Sequence, residues 1–114
     1  MRNSGPVSGN LFASVPSQLA EEQFLDLAAG LGVRIARIVS TGHTTEWQHP
    51  AEDEWVLVLR GAGRLRFETG DEVLSMGPGD WCHIPAGLRH RVEWTDPDAP
   101  TVWLAVHFPP GGAA

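Results

Sequence analysis

The chain has 114 residues, a length that suits one domain with a single core and is too short for two. Hydrophobic residues make up 42% and charged residues 19%, and no apolar run reaches the roughly 18 residues of a membrane helix. The net charge of -6 and the lack of any run of basic residues argue against binding to nucleic-acid phosphates. We therefore expect one soluble domain over residues 1–114 with no membrane or nucleic-acid partner.

The cysteine content and the first residues of the chain indicate the cellular compartment. Cys82 is the single cysteine, so no internal disulfide can form. The first sixteen residues contain no continuous apolar stretch of the kind that a signal peptide carries. Both observations favour a reducing environment, and we expect a cytoplasmic location.

One segment near the N-terminus has helical spacing. In "SQLAEEQFLDLAAG", Ser17 can cap a helix, Phe24, Leu27 and Ala28 recur at helical spacing, and Gly30 can end it. The pattern predicts a helix over residues 17–29, preceded by an N-terminal arm over residues 1–16. Residues 1–10 and 109–114 are rich in Gly, Pro and Ser and are predicted to be loose ends.

The rest of the chain alternates short apolar runs with turn signals. "VRIARIVS" and "GRLRFE" alternate as half-buried strands do, whereas "EWVLVLRG" is apolar on both faces and needs cover on both. "GAG", "TGDE", "GPGD", "PAG" and "TDPDAP" mark turns, and "TVWLAVHF" is a last apolar run. The pattern predicts an all-β fold of seven or eight strands, a sandwich or small barrel with its core at about residues 33–108.

Two spaced motifs follow this pattern of strands. In "GDWCHIPAGLRH", Gly79 is followed by Pro85, Gly87 and His90. Upstream, six residues separate Glu54 from Gly61, and four separate His49 from Glu54. In these residues the chain resembles the cupin superfamily, whose motifs read G-x5-H-x-H-x3-4-E-x6-G and G-x5-P-x-G-x2-H-x3-N. The resemblance covers about residues 35–108 and extends to a narrower group of small bacterial cupins. It implies a jelly-roll barrel, or double-stranded β-helix.

The spacing also suggests a metal site. Residues 47 and 49 share one face of a strand, a turn can return Glu54 to the same place, and His90 can arrive from a distant strand. Two imidazoles and a carboxylate form the facial triad that holds Fe(II) or a similar ion with open positions. His49, Glu54 and His90 are therefore the candidate ligands for one divalent ion, Fe, Mn, Ni or Zn. The alternative is a barrel that holds no metal.

Two further residues are candidates for the pocket. Trp47 stands where the first motif histidine is expected, and there it would replace a ligand by an apolar wall. His107 shares a strand face with Trp103 and Ala105, so it points into the barrel if that face lines the barrel. His43, His83 and Cys82 match no motif position and are interpreted as surface, hydrogen-bonded or core residues.

Two functions stay open on these residues. The first is a metal-dependent enzyme that oxygenates or otherwise transforms a small molecule. The alternative is a non-catalytic domain that binds a small ligand or stores a metal, or a metal-free cupin. The sugar-epimerase type of cupin ranks last, because it needs a tyrosine acid and this chain has no tyrosine. Exposed apolar residues of the early strands also predict a homodimer.

Overall fold

The computed structural model describes residues 5–111, so only the outermost parts of the predicted loose ends, residues 1–4 and 112–114, lie outside the described residues. This part of the chain contains eight β-strands and a three-residue 3-10 turn at Thr69–Asp71. The strands are β1 (Gln23–Gly30), β2 (Val33–Ser40), β3 (Asp53–Arg60), β4 (Gly63–Phe67), β5 (Val73–Met76), β6 (Trp81–Ile84), β7 (His90–Thr95) and β8 (Thr101–Phe108). Within residues 5–111 no helix has the length and apolar character needed to cross a membrane.

The strands form two antiparallel sheets that face each other. The larger has the order β1-β2-β8-β3-β6, and the smaller has the order β5-β4-β7. The last strand, β8, therefore lies between β2 and β3. The main core cluster lies between the inner faces and comprises Val56, Val58, Leu65, Phe67, Met76, Ile84, Trp103 and Ala105. The prediction of a mainly β fold is confirmed.

Strand β3 is covered unequally on its two faces. Val56 and Val58 are buried in the core, as one apolar face of the strand predicts. On the other face Trp55 stacks on Trp81 with ring centroids 6.0 Å apart, and Trp81 is itself 61% exposed. The expected cover of both faces is thus only partial within this chain.

The helix predicted over residues 17–29 is wrong, because residues 23–30 form strand β1. Leu31 and Gly32 both have positive φ, 53° and 81°, and they join β1 to β2 as the two-residue loop of a tight hairpin. This loop lets the segment return along β2, where it pairs from Gln23 to Gly30 with one irregularity between Asp26 and Ala28. An isolated helix of about twelve residues is marginal in water, so this pairing outweighs the helical spacing.

A buried arginine contacts residues 11 and 13 of the N-terminal arm. Arg37 is only 4% exposed, and its guanidinium donates to the carbonyl oxygens of Ala13 (2.7 Å) and Leu11 (3.4 Å) and to Gln23 Oε1 (2.9 Å). Charge-assisted hydrogen bonds of this kind are stronger than neutral ones. They hold Leu11 and Ala13 against the face of the large sheet that points away from the core.

Candidate functional site

Three adjacent strands of the large sheet place polar side chains in one row. His107 of β8 lies directly opposite Arg34 of β2 on one side and Glu54 of β3 on the other. Directly opposite residues of antiparallel strands project from the same face of the sheet. Arg34, His107 and Glu54 therefore form a transverse row on the inner face.

His90 reaches this row from the opposite sheet. It begins β7 and is only 3% exposed, and its ring lies beside Phe67 with centroids 6.2 Å apart. Its Nδ1 donates to the carbonyl oxygen of Leu88 at 2.9 Å. This hydrogen bond fixes the ring so that Nε2 faces Glu54, the orientation that metal-binding histidines usually receive from a backbone carbonyl.

The carboxylate of Glu54 is the centre of the site. Its Oε1 lies 3.5 Å from His90 Nε2, and its Oε2 lies 3.3 Å from His107 Nε2. Burial opposes ionisation of this carboxyl, but the contacts with His107 and His90 outweigh burial and lower its pKa to about 2. Glu54 is therefore an anion held between two imidazoles.

His90 responds to the same contact in the opposite direction. Burial works against a charged imidazole, yet the Glu54 carboxylate and the Leu88 carbonyl together raise the pKa of His90 above its ordinary value of 6.5. A cation at His90 Nε2, whether a proton or a metal ion, is thus stabilised by Glu54.

A cavity of about 390 Å³ opens above the three side chains. Its deeper walls are apolar and include Ile38, Val56, Leu65, Ile84, Val92 and Trp103. Exposed residues such as Phe24 and His49 also line it, so the cavity reaches solvent on that side. Apolar walls with a few convergent polar groups are typical of small-molecule sites.

The structure brings together only two of the three predicted ligands. Glu54 and His90 meet, and the third member of the cluster is His107. His49 lines the cavity but is exposed, and among the described residues it makes neither a hydrogen bond nor an ion pair with Glu54 or His90. Trp47 lies outside the cavity lining, because its indole packs beside the guanidinium groups of Arg89 (5.0 Å) and Arg91 (5.4 Å).

A backbone bridge between Gln48 and His90 explains why His49 does not join the cluster. Gln48 pairs with His90 through two hydrogen bonds of 2.7 and 3.0 Å, so the Gln48 side chain projects from the same face as His90. The first cupin motif allows three residues before its glutamate. With three, five residues separate Gly42 from Gln48, and Gln48 and Pro50 occupy the positions of the two motif histidines. Gly42 and the three-residue spacing before Glu54 are the sequence features that indicate that His49 is not a motif position.

The residues that match no motif position have local structural roles. His83 lies 2.8 Å from Asp53, whose other oxygen accepts from the Ala86 amide at 2.9 Å, and His43 accepts from the Thr41 amide. Cys82 is partly buried against the core, and burial raises the pKa of its thiol. A protonated thiol is a poor nucleophile.

The donor chemistry of the cluster fits a divalent metal ion. Ligands that share one ion at about 2.1 Å lie roughly 3.0 to 3.4 Å apart, close to the distances of 3.3 and 3.5 Å seen here. The two imidazoles face different oxygens of Glu54, however. In residues 5–111 no three His, Cys, Asp or Glu side chains are gathered to hold an ion as they stand. A shared ion requires the two imidazoles to move toward one point.

Comparison with known proteins identifies the family. The family model described as "Cupin domain" matches residues 38–107, which is more than half of the chain. The chain belongs to the cupin domain family, and the resemblance inferred from its motifs is confirmed. No functionally curated protein matches it.

Solved structures support the same assignment. A Ralstonia eutropha protein described as a putative mannose-6-phosphate isomerase is 45% identical, with a TM-score of 0.88 over 91% of this chain and 99% of that one. A cupin superfamily protein from Desulfitobacterium hafniense is 18% identical, with a TM-score of 0.73 over 96% of this chain and 94% of that one. The Schizosaccharomyces pombe Cnp3 cupin domain is 13% identical, with a TM-score of 0.75 over 90% and 69% of the two chains. The last two show the fold alone.

Proposed function

We propose that this cupin domain binds one divalent metal ion through Glu54, His90 and His107 and uses it to bind and transform a small molecule in the cavity. The observation that carries the proposal is the contact of both Glu54 oxygens with imidazole Nε2 atoms at 3.3 and 3.5 Å. The ligand set differs from the sequence-based set by one residue, since His107 replaces the exposed His49.

A two-histidine, one-carboxylate set leaves coordination positions free. When bound, the ion supplies positions for a substrate and for O2 or water, and it polarises what binds there. The protein supplies the rest. Leu88 orients the His90 ring, Glu54 supplies the negative charge, and the apolar walls exclude water from one side of the cavity.

Elemental analysis of protein purified without an affinity tag or chelator tests the proposal, both as isolated and after incubation with Fe(II), Mn(II), Ni(II) or Zn(II). We expect close to one ion per wild-type chain and its loss in Glu54→Gln and His107→Ala. His83→Ala is the matched control, because its imidazole pairs with Asp53 outside the cavity lining, and it should keep the metal.

His49→Ala separates the two ligand sets. Full metal content in this variant supports the set with His107, and loss of metal supports the sequence-based set of His49, Glu54 and His90. Circular dichroism checks that each variant is folded. Wild-type protein that stays metal-free after reconstitution contradicts the proposal.

A metal-free binding domain is the second candidate. The two imidazoles face different oxygens of Glu54, and this arrangement favours the metal-free domain, because a charged histidine satisfies the carboxylate without an ion. In that case the site holds a proton rather than a metal, and ligand binding should be insensitive to chelators.

The substrate screen should include mannose 6-phosphate, because the 45% identical Ralstonia protein carries the corresponding isomerase description. Oxygen uptake with small aromatic and aliphatic substrates covers the oxygenase possibility. Turnover that is lost with the metal in Glu54→Gln supports an enzyme over a binding domain.

A further inference from the structure

We propose that Arg34 anchors an anionic group, a carboxylate or a phosphate, of the small molecule that binds in the cavity. This inference rests on the proposed function for the place where the ligand lies, and it adds the ligand's chemical class. Arg34 is the single arginine or lysine among the described residues that line the cavity.

The position of Arg34 suits this role. It lies directly opposite His107, whose other neighbour is Glu54, so the three side chains occupy successive strands on one face. Neighbouring strands are about 4.8 Å apart, which places the base of Arg34 one strand from His107 and roughly 10 Å from Glu54. A ligand held by Arg34 therefore extends across His107 toward the Glu54 centre.

The present partner of Arg34 is exchangeable. Its guanidinium donates to Glu52, and the two side chains are 53% and 35% exposed. Exposed ion pairs contribute little to stability, so replacing Glu52 by another anion costs little. A carboxylate or phosphate matches the guanidinium with two parallel hydrogen bonds. Glu52 therefore holds Arg34 in place until a ligand anion displaces it.

The net charge of the cavity makes anion binding at Arg34 depend on the metal. Glu22, Glu52 and Glu54 all line the cavity with Arg34, which leaves an excess of two negative charges when the histidines are neutral. Glu22 accepts from the Ser40 hydroxyl at 2.6 Å, so its charge is held at the cavity. A divalent ion cancels the excess. Anionic ligands should therefore bind the metal-loaded protein better than the metal-free protein.

The walls restrict the rest of the ligand. Ile38, Val92 and Trp103 line the cavity next to the core cluster, and they offer apolar and aromatic surface. A small acid with an aromatic or branched aliphatic body fits both the walls and the anchor.

Isothermal titration calorimetry with model ligands tests the inference on metal-loaded and metal-free protein. The probes are 3-phenylpropanoate, the neutral 3-phenylpropan-1-ol, 3-phenylpropylamine and inorganic phosphate. We expect 3-phenylpropanoate to bind wild type and to bind Arg34→Gln roughly tenfold more weakly or worse, as the loss of a charged hydrogen-bond pair implies. The alcohol should bind both proteins equally.

Two further variants sharpen the result. Arg60→Gln removes an exposed arginine outside the cavity lining and should leave the affinity for 3-phenylpropanoate unchanged. Glu52→Gln frees the guanidinium and should bind the acid a few-fold more tightly. Competition by inorganic phosphate at Arg34 indicates a phosphorylated ligand, and lack of competition indicates a carboxylic acid.

Three outcomes overturn the inference. They are equal affinity of Arg34→Gln and wild type for the acid, tighter binding of the amine than of the acid, and no binding of either anionic probe to wild type. Measuring the metal content of every sample distinguishes failure of this inference from failure of the proposed function. Arg34-dependent binding to a protein that takes up no metal keeps the anchor and rejects the metal proposal.

Discussion

At the scale of single residues, Trp103 determines what position 63 can hold. The Trp103 ring is buried in the core, and a Cβ atom on Gly63 would lie only 2.5 and 2.6 Å from its Cζ2 and Cη2 atoms. Gly63 is thus required by the close approach of an indole to the backbone of β4, and this contact helps to shape the cavity wall that Trp103 forms.

We expect Gly63→Ala to destabilise the protein by about 1–3 kcal/mol, the usual cost of forcing extra atoms into a packed core. The free energy of unfolding from urea denaturation measures this. Gly30→Ala is the matched control, because its added Cβ would meet nothing within 4 Å and should change stability little. Equal stability of both variants would show that Trp103 moves aside freely.

At the scale of elements, the hairpin of β1 and β2 contains a residue unsuited to its turn. Leu31 has φ of 53° and is fully exposed, so it adopts a left-handed conformation with no packing to compensate. Asn followed by Gly is preferred in this two-residue loop, and Gly32 already occupies the second position.

We therefore expect Leu31→Asn to stabilise the protein by about 0.5–1 kcal/mol, since asparagine tolerates this conformation and no contact is lost. Thermal unfolding followed by circular dichroism measures the gain as a raised midpoint. Leu31→Ala removes the same exposed side chain but lacks asparagine's tolerance of positive φ, so it should give no comparable gain.

Elements with one buried face were predictable from their alternation. Leu65 and Phe67 of β4 alternate with arginines because one face meets the core, and that pattern is local. Strand β1 is exposed along nearly its whole length, so its sequence shows no alternation of buried and exposed residues. The helical spacing of Phe24 and Leu27 therefore led to the wrong prediction of a helix. Edge strands of this kind are recognised through their pairing partner.

The candidate site was predictable only where local spacing along the chain defines it. Glu54 and His90 follow from motif spacing along the chain. The direction of His107 depends on the pairing of β8 with β2 and β3, and the direction of His49 depends on the bridge from Gln48 to His90. Both are contacts between distant parts of the chain, which spacing alone does not define.

At the scale of the whole molecule, β1 leaves one edge of the large sheet open. Phe24, Leu25 and Leu27 are 64%, 45% and 39% exposed, and the strand has no lysine or proline to discourage pairing. Two copies of such a strand can pair about a twofold axis, because antiparallel pairing makes each copy present the same surface. These features support the predicted homodimer.

Sedimentation at micromolar concentration should return about twice the chain mass of 12.3 kDa. Leu25→Lys should shift the species toward the monomer, because a charge at an open edge opposes pairing. Val73→Lys changes an exposed apolar residue of the small sheet, 41% exposed, and should leave the mass unchanged. A single species of 12.3 kDa for wild type rejects the dimer.

The place of β8 between β2 and β3 has a consequence for synthesis on the ribosome. The strand that joins the two halves of the large sheet, Thr101–Phe108, is the last of the eight to be translated. Until it emerges, β2 and β3 both lack their shared neighbour and His107 is missing from the site. The nascent chain must therefore keep two apolar strand edges apart from other chains, and folding should complete only after translation of residue 108.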